Sequence, residues 1–515
     1  MPTAVAAADD PLAWVAVAAC LVTLVPAGLR WLRVSQREHY LAGSATRFAR
    51  RWWTSEPADL LLAVLALAGL GLSVVWPLTA LATAVAVALG PLHLSPRGRT
   101  SPLVWTTRLR TLGGVWVLLQ AVVVVAGVLA GVAAPLAAAG AVVVPLLVDL
   151  AAWVLGPVER RRVAPFVAQA AERLRKVGPT VVAVTGSYGK TSTKHHIAHL
   201  LTGTKHVVAS PASFNNRAGL ARAVNEHLSE GAEVFVAEMG TYGRGEIAEL
   251  CSWCRPDISV ITAIGPVHLE RFGSEDEILA AKTEITENVG VVVLNVDDDR
   301  LAGLADRLDG EGRTVLRCSG WDHEADVCVT MGESEVAIWG NGRSLVERAA
   351  IASGIQPTNL ACAVAVALRL GLPEDRLAVR LADLPGVPNR LSQGTTPRGV
   401  VVLDDTFNAN PAGASAALEA LRRLPAGRRV VVTPGMVELG ALQAVDNRRF
   451  AEAAAGVATD LLVVGRTNRR ALLEGARSLQ PIAVRTREEA VSWVRGHLEA
   501  GDAVLYENDL PDHYP

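Results

Sequence analysis

The first 155 residues contain five apolar stretches that are long enough, or nearly so, to cross a lipid bilayer as helices. The rest of the chain has the composition of an ordinary soluble α/β protein, so these stretches account for the positive mean hydropathy of +0.30. We therefore predict an all-α transmembrane domain of five helices over residues 1–156. An amphipathic linker helix that lies near the bilayer is predicted over residues 157–178. The five stretches are 11–29, 58–76, 77–94, 112–134 and 136–155.

Basic residues are concentrated in the segments that follow the first, third and fifth apolar stretches. With five spans, all three segments fall on one side of the membrane, and an excess of Lys and Arg marks the cytoplasmic side. We therefore expect a multi-pass protein of the cell (inner) membrane, with its N-terminus outside and everything after residue 156 in the cytoplasm. Asp149 alone lies well within a stretch, which favours an anchor over a transport path. The basic residues are Arg30, Arg33, Arg37, Arg47, Arg50 and Arg51, then Arg97, Arg99, Arg108 and Arg110, then Arg160, Arg161, Arg162, Arg173, Arg175 and Lys176.

Length, charge and cysteine content narrow the class of protein further. A chain of 515 residues suggests about three domains. Its net charge of −2 gives no electrostatic argument for binding nucleic acid. Of the six cysteines, Cys251 and Cys254 have the spacing of half a zinc site, but no second close pair completes it. Buried thiols in a reducing cytosol are the favoured interpretation.

A glycine-containing loop after the apolar region has the features of a phosphate-binding site. The β-branched run 180–184 predicts a buried strand, and it leads into Thr185-Gly-Ser-Tyr-Gly-Lys-Thr-Ser-Thr193 and a helical stretch. Backbone N–H groups of such a loop and the following helix N-terminus favour an anion. The loop is contracted, because Val184 occupies the place of the first glycine of the standard pattern, and a glycine turn with a chance lysine is the alternative. The candidate nucleotide contacts are Gly186, Ser187, Gly189, Lys190, Thr191 and Ser192, with Lys190 on the phosphates and Thr191 on Mg²⁺.

Two further polar residues follow predicted strands. Glu238 ends the run 234–238, and His268 comes shortly after the run 258–264. Because the carboxyl ends of parallel strands meet at a ligand crevice, we expect both side chains to lie near the phosphate loop. There they can hold the Mg²⁺ that bridges ATP phosphates and a substrate carboxylate. A helix-capping glutamate and a packed histidine are the alternatives for either residue alone.

The order of these motifs resembles that of the Mur ligases, which form peptide bonds during bacterial cell-wall synthesis. The likeness extends over residues 180–470 and includes eight further segments in the family's order. The last two segments resemble the MurF branch, which adds D-alanyl-D-alanine to the muramyl peptide. The eight segments are 212–217, 234–247, 264–273, 281–285, 359–363, 387–391, 404–411 and 435–440.

The resemblance implies a nucleotide site that two domains share. Asn359, Arg390 and Asp405 match the family's adenine-, phosphate- and ribose-contacting positions. Arg390 and Asp405 would come from the C-terminal domain, which would close over bound ATP. Asn408 and Asn410 could orient the incoming amine, although loop-capping asparagines are an equal alternative. The candidates for substrate contact are Asn215, Asn216, Asn408 and Asn410.

Lys282 matches a lysine that reacts with CO₂ in several Mur ligases, where the carbamate helps to hold Mg²⁺. Arginine cannot replace a lysine in this reaction, and this chain otherwise prefers arginine. A surface salt bridge with Glu284 or Glu287 is the alternative. The resemblance thus gives Lys190, Lys282 and His268 as catalytic candidates. The candidate metal ligands are Thr191, Glu238, His268 and Lys282.

We expect an α/β catalytic part with two domains after the membrane region. A P-loop-type domain with a central parallel sheet is predicted over residues 179–386, and a Rossmann-like domain over residues 387–515. Short strand-like runs separated by helical stretches support the second domain. These runs are 399–405, 428–434, 460–465 and 502–506.

The resemblance implies an ATP- and Mg²⁺-dependent ligase that forms an amide through an acyl phosphate. D-Ala-D-Ala, or a similar amino acid or dipeptide amine, would be joined to the carboxylate of a peptidoglycan precursor. Membrane spans stand where MurF enzymes carry a UDP-sugar-binding domain, so a lipid-linked precursor is a candidate acceptor. A poly-γ-glutamate-type capsule synthetase is one alternative. A membrane scaffold with a degenerate Mur ligase fold is another, and the intact Lys190, Glu238 and His268 argue against it.

Overall fold

A computed structural model of the chain describes residues 11–211, 214–332, 334–352, 354–386, 391–407 and 409–515. The chain forms two compact units. The helical unit comprises the chain up to Arg162 together with Leu510–Pro515, and the ligase unit comprises Val163–Asp509. The predicted C-terminal domain, 387–515, is therefore six residues too long at its end, because residues 510–515 pack with the helical unit.

All five apolar stretches of the helical unit contain helix, but they are not five full spans. By length and composition, α1 and α5 can each cross a membrane, and up to four spans result if each bent helix pair counts as one. The pairs are α2 with α3, bent by 112°, and α6 with α7, bent by 72°. The stretch 77–94 is helical only over Pro77–Leu89, which is too short to cross alone. The helices are α1 (Pro11–Arg37), α2 (Ser44–Trp53), α3 (Pro57–Ser73), α4 (Ala80–Leu89), α5 (Thr107–Leu129), α6 (Ala133–Val142) and α7 (Val144–Val177).

Three arginines that the sequence places in a cytoplasmic loop lie on α1 instead. Arg30 is buried and donates hydrogen bonds to the carbonyl oxygens of Ala88 at 2.8 Å and Gly90 at 2.9 Å. These carbonyls belong to the end of α4, whose last C=O groups have no partner within the helix. Arg30 therefore caps a neighbouring helix, while Arg33 and Arg37 continue α1 beyond the apolar stretch.

Residues 510–515 are held in the helical unit by a buried polar cluster. Asp512 accepts hydrogen bonds from Arg33 Nη1 at 2.8 Å and from the Ser101 backbone N–H at 3.2 Å. His513 Nε2 lies 3.2 Å from Glu38 Oε1, and both side chains are buried. Burial alone would raise the pKa of Asp512, but hydrogen bonds from Ser101 and the charge of Arg33 outweigh it and hold that pKa well below its usual range.

The predicted linker helix 157–178 is the second half of α7 and not a separate helix. Gly156 and Pro157 are both accommodated inside the helix, which ends at Val177 before Gly178 with its φ of 66°. Val167, Ala170 and Leu174 on this half are buried in a core cluster of the ligase unit.

The first domain of the ligase unit is a sheet with helices on both faces. The described strands form a nine-stranded sheet of order β2-β3-β1-β4-β5-β6-β7-β8-β9. The pairs from β2 to β7 are parallel as predicted, but β8 and β9 pair antiparallel, so the sheet is mixed. The strands are β1 (Thr180–Thr185), β2 (Val207–Ala209), β3 (Val234–Glu238), β4 (Ile258–Ile261), β5 (Val291–Asn295), β6 (Thr314–Ser319), β7 (Val327–Met331), β8 (Glu335–Gly340) and β9 (Arg343–Ala350). The helices are α8 (Lys190–Leu201), α9 (Arg217–His227), α10 (Glu246–Trp253), α11 (Leu269–Phe272), α12 (Glu275–Thr283), α13 (Asp299–Gly310), α14 (Pro357–Arg369) and α15 (Leu377–Ala382).

The second domain has a six-stranded sheet of order β10-β11-β15-β12-β13-β14 among its described residues. Every pair is parallel except β10 with β11, and the four predicted strand runs all contain strands. The strands are β10 (Ser392–Thr395), β11 (Val401–Asp405), β12 (Arg429–Thr433), β13 (Asp460–Val464), β14 (Ile482–Val484) and β15 (Ala503–Glu507). The helices are α16 (Pro411–Arg423), α17 (Gln443–Ala455), α18 (Arg469–Gly475) and α19 (Arg487–His497).

Candidate active site

The phosphate loop lies at the carboxyl end of the central strand β1. This strand pairs in parallel with β3 and β4, so the loop, Glu238 and the segment after Ile261 emerge at one edge of the sheet. Two positions of the loop require glycine. A Cβ on Gly186 would lie 2.0 Å from Thr262 Oγ1, and a Cβ on Gly189 would lie 2.1 Å from Asn359 Oδ1, where φ is also 78°. The loop backbone can therefore approach a ligand closely at the N-terminus of α8.

Lys190 folds back over the loop that precedes it. Its Nζ donates to the carbonyl oxygen of Gly186 at 2.7 Å and to that of Ser187 at 3.3 Å. The next residue, Thr191, donates from its hydroxyl to Glu238 Oε2 at 3.0 Å. The first helical turn thus presents an ammonium group and a hydroxyl beside a carboxylate, as the sequence predicts for a phosphate and Mg²⁺ site.

Glu238 is buried, with an exposed fraction of 2%, and it has a partner that the sequence interpretation missed. Lys194 Nζ lies 3.0 Å from Glu238 Oε2, and its side chain is completely buried. Asn215 Nδ2 donates to the other carboxylate oxygen at 3.2 Å. Burial raises the pKa of Glu238, but the charges of Lys194 and Lys190 outweigh that effect and leave the pKa below its usual value. The sequence does indicate that Lys194 could lie near Glu238, because Lys194 follows Thr191 by three places and shares its helix face.

Lys282 is also buried, so the surface salt bridge considered for it is wrong. It is 4% exposed, and its Nζ donates to the carbonyl oxygen of Gly186 at 3.0 Å. Burial and the nearby charge of Lys190 hold the pKa of Lys282 well below the usual lysine value. Glu284 instead accepts hydrogen bonds from the backbone N–H groups of Gly245 and Ala248 at the start of α10. A buried amine with a depressed pKa is the nucleophilic form that reacts with CO₂.

His268 precedes the short helix α11 and contacts the second domain. Its Nδ1 contacts Glu438 Oε2, and its ring packs edge-on against Tyr242 with centroids 4.8 Å apart. In the described part of the chain, no group of three His, Cys, Asp or Glu side chains is close enough to hold a metal ion. A divalent cation at this edge would therefore also need the Thr191 hydroxyl, or an oxygen that a carbamate on Lys282 would supply. The donor types present fit Mg²⁺, which prefers oxygen ligands and retains several waters.

A cavity of about 290 Å³ opens beside the phosphate loop and lies between the two domains. Five predicted site residues line it: Gly189, Ser192, Asn359, Asp405 and Asn410.

The remaining candidates serve other contacts or lie outside the described residues. Asn216 and Asn410 each cap a helix, α9 and α16, by accepting a hydrogen bond from the residue three places on, at 3.0 and 2.9 Å. The capping alternative given for Asn410 is therefore observed, although Asn410 also lines the cavity. Ser187 donates from its hydroxyl to the carbonyl oxygen of Gly265 at 3.1 Å. Arg390 and Asn408 are not among the described residues.

The phosphate loop, the buried carboxylate and the cavity between two α/β domains define a nucleotide-dependent ligase. Family models agree, since that of the Mur ligase middle domain matches residues 184–367 and that of the Mur ligase, glutamate ligase domain matches residues 389–506. The chain belongs to the Mur ligase family and is an ATP-dependent peptide ligase of the MurF type. Both matched regions lie within the ligase unit.

Curated relatives and a solved structure carry the same classification. The UDP-N-acetylmuramoyl-tripeptide–D-alanyl-D-alanine ligase of Mycobacterium leprae is 32% identical over 372 residues, which cover 64% of this chain and 70% of that protein. The enzyme of that name from Mycobacterium tuberculosis (strain H37Rv) is 32% identical over 375 residues, 66% of this chain and 72% of that protein. The MurF ligase of Thermotoga maritima in complex with ADP is 27% identical, with a TM-score of 0.57, covering 67% of this chain and 80% of that one.

Proposed function

We propose that this ligase joins D-Ala-D-Ala, or a similar amine, to the terminal carboxylate of a muramyl-tripeptide precursor at the cost of ATP. The observation that carries the proposal is the cavity that runs from Gly189 to Asp405 and Asn410, because it brings a phosphate loop and the C-terminal domain to one site. The names of the curated relatives supply the substrate class. Glu238 contacts Thr191 just after the phosphate loop, and Lys282 contacts the carbonyl oxygen of Gly186 within it.

Some of the site residues bind the phosphates of ATP in this reaction, and others orient the nucleoside. The loop N–H groups and Lys190 hold the triphosphate, while the acceptor carboxylate attacks the γ-phosphorus in line and ADP leaves. The amine then loses a proton and attacks the acyl carbon of the acyl phosphate, and inorganic phosphate leaves from the tetrahedral intermediate. Thr191, Glu238, His268 and carbamylated Lys282 would hold Mg²⁺, which supplies charge neutralisation at the phosphoryl oxygens. Asn359 and Asp405 orient the nucleoside.

We place the reaction at the cytoplasmic face of the cell membrane. Residues 11–162 of the helical unit precede the matched Mur ligase domains in the chain, and α1 and α5 have the length and apolarity of membrane spans. The protein is then a multi-pass membrane protein, and the bilayer is a partner. A precursor already linked to a lipid would have its carboxylate near this face, so it is a candidate acceptor beside the soluble UDP-linked one.

Measurement of ADP release by the detergent-solubilised protein tests the proposal. UDP-muramyl-tripeptide and a lipid-linked muramyl-tripeptide are offered separately, each with and without D-Ala-D-Ala. We expect ADP release that requires one acceptor together with the amine, and its loss in Lys190→Ala. Lys205→Ala is the matched control, because Lys205 is a partly exposed lysine paired with Glu233 away from the loop. ADP release that is independent of both acceptors, or that persists in Lys190→Ala, would refute the assignment of ligase activity to this site.

A further inference from the structure

His268 and Glu438 come from different domains and meet through their side chains. His268 follows β4 in the first domain, and Glu438 follows β12 in the second. Besides the contact between His268 Nδ1 and Glu438 Oε2, Arg271 Nη2 lies 3.3 Å from Glu438 Oε1. The carbonyl oxygen of Glu438 accepts a hydrogen bond from the Glu270 backbone N–H at 3.5 Å. Side chain and backbone of Glu438 thus both contact the segment that carries His268.

Both residues have a left-handed backbone, which residues other than glycine rarely adopt. The φ of His268 is 57° and that of Glu438 is 63°. Such conformations persist only where the surroundings impose them, and they concentrate at functional sites. Gly440, two residues after Glu438, lies against Leu269, with its ideal Cβ position 3.6 Å from Leu269 Cγ. The strained turns of the two domains therefore pack against each other at this contact.

The contact fixes which ring nitrogen of His268 a metal can use. A carboxylate on Nδ1 leaves Nε2 as the coordinating atom and sets the orientation of the ring. The ring of Tyr242 packs edge-on against the imidazole, and the Arg271 guanidinium lies 4.4 Å from the centroid of the Tyr242 ring. The imidazole is therefore restrained both by a carboxylate and by an aromatic side chain.

We propose that Glu438 is a positioning residue for His268, supplied by the C-terminal domain, which orients the imidazole toward the divalent cation of the ATP complex. The inference rests on the proposed function, in which His268 holds Mg²⁺. It adds that the metal site is complete only when the C-terminal domain is docked. By linkage, a metal–nucleotide complex that uses His268 then favours the docked arrangement of the two domains.

Binding of Mn²⁺ to the full chain in the presence of ADP, followed by the loss of the free-ion EPR signal, tests this role without a turnover assay. We expect Glu438→Gln and Glu438→Ala to weaken Mn²⁺ binding by about 10- to 100-fold, the usual effect of losing a partner behind a metal-bound histidine. Glu452→Gln is the matched control, because Glu452 is an exposed carboxylate on α17 in the same domain. The thermal unfolding midpoint of each variant is measured in parallel.

His268→Ala and the double variant His268→Ala/Glu438→Ala, measured beside Glu438→Ala, form a double-mutant cycle for Mn²⁺ binding. If Glu438 acts through His268, the double variant binds Mn²⁺ no more weakly than His268→Ala. Wild-type Mn²⁺ affinity in both Glu438 variants, additive losses in the double variant, or a loss that Glu452→Gln shares would each overturn the proposal. The result is independent of the ligase assay, since Mn²⁺–ADP binding needs neither the acceptor nor the amine.

Discussion

Replacement of Lys194 by methionine should strongly destabilise the ligase unit, because it leaves the Glu238 carboxylate buried without its nearest positive charge. The two groups are 3.0 Å apart, and their side chains are 0% and 2% exposed. Methionine keeps a similar length and apolar stem, so the change removes the ammonium group and little packing. Thr191 and Asn215 still donate to the carboxylate, and Lys190 remains as a second positive charge that lowers its pKa.

The size of the effect follows from the burial of both partners. Breaking a buried ion pair by removing one partner costs about 3–5 kcal/mol, because the remaining charge has lost its compensation. A domain of this size loses about 2–4 °C of its unfolding midpoint per kcal/mol, so we expect the midpoint to fall by about 6–20 °C. Lys194→Met/Glu238→Gln removes both charges and should recover most of that loss, since the buried pair is then replaced by neutral groups.

The loss of stability in Lys194→Met should also depend on pH, and the pKa shift of Glu238 gives the direction of that dependence. The pKa of Glu238 is below its usual value in the folded protein, so the stability it contributes is present above the unfolded pKa of about 4.3. That contribution is lost as pH falls through the folded pKa. In Lys194→Met, burial still raises the pKa of Glu238 while the largest opposing charge is absent. Glu238 of the variant is therefore protonated at a higher pH than in the wild type, and protonation removes the uncompensated charge that destabilises the variant. The midpoint difference between wild type and variant should therefore be greatest near neutral pH and shrink toward pH 4.

Thermal unfolding of the nucleotide-free protein in one detergent, over a series of pH values, measures these differences. Lys205→Met is the control, because it breaks a more exposed pair with Glu233, with side chains 35% and 48% exposed, and should change the midpoint little. A Lys194→Met midpoint within 2 °C of wild type, or a double variant as unstable as the sum of the single changes, would refute the reasoning.

Two further predictions concern other buried ionisable groups. Lys282→Ala should abolish acceptor-dependent ADP release and remove the carbamate carbon signal that ¹³C-bicarbonate gives in the NMR spectrum of the wild type; a signal that survives the substitution would contradict carbamylation of this residue. Asp512→Asn should destabilise the helical unit by about 3 kcal/mol, because Arg33 is completely buried against the carboxylate. The comparison is Asp509→Asn, which breaks a pair with Arg487 whose side chains are 50% and 33% exposed, and equal unfolding midpoints for the two variants would contradict the expectation.

The parts of the site that depend on local sequence could be predicted. The strand, glycine loop and Lys190-Thr191 pair follow each other within a dozen residues, so the fold has little freedom to place them elsewhere. Glu238 could be placed beside them because parallel strands end at a common edge, and the Val184–Glu238 register bears this out. Glu438 could not be paired with His268, because 170 residues separate them and only the docking of two domains brings them together.

The helical unit shows the limits of reading charge and composition alone. The rule that basic residues flank membrane spans counts Arg30 as a loop residue, whereas the side chain binds the carbonyl oxygens at the end of α4. Composition cannot distinguish a solvated arginine from one that caps a helix. Nor does it indicate that Asp512 finds its partner 479 positions earlier in the chain. Both contacts depend on tertiary packing, which has no signature in a short sequence window.

The distribution of lysine connects the composition of the chain to its chemistry. Of 49 basic residues five are lysines, and three of these, Lys190, Lys194 and Lys282, surround the phosphate loop and Glu238. Arginine would be unsuitable at each place for a different reason. Beside Glu238 a planar guanidinium would need more room than a fully buried ammonium occupies, and at Lys282 it could not lose a proton to become a nucleophile. Above the loop, the ammonium group of Lys190 can turn from the carbonyl oxygens to a phosphate by rotation of its flexible side chain. A chain that uses arginine almost everywhere else therefore carries lysine where the proposed reaction needs a small, movable or deprotonated amine.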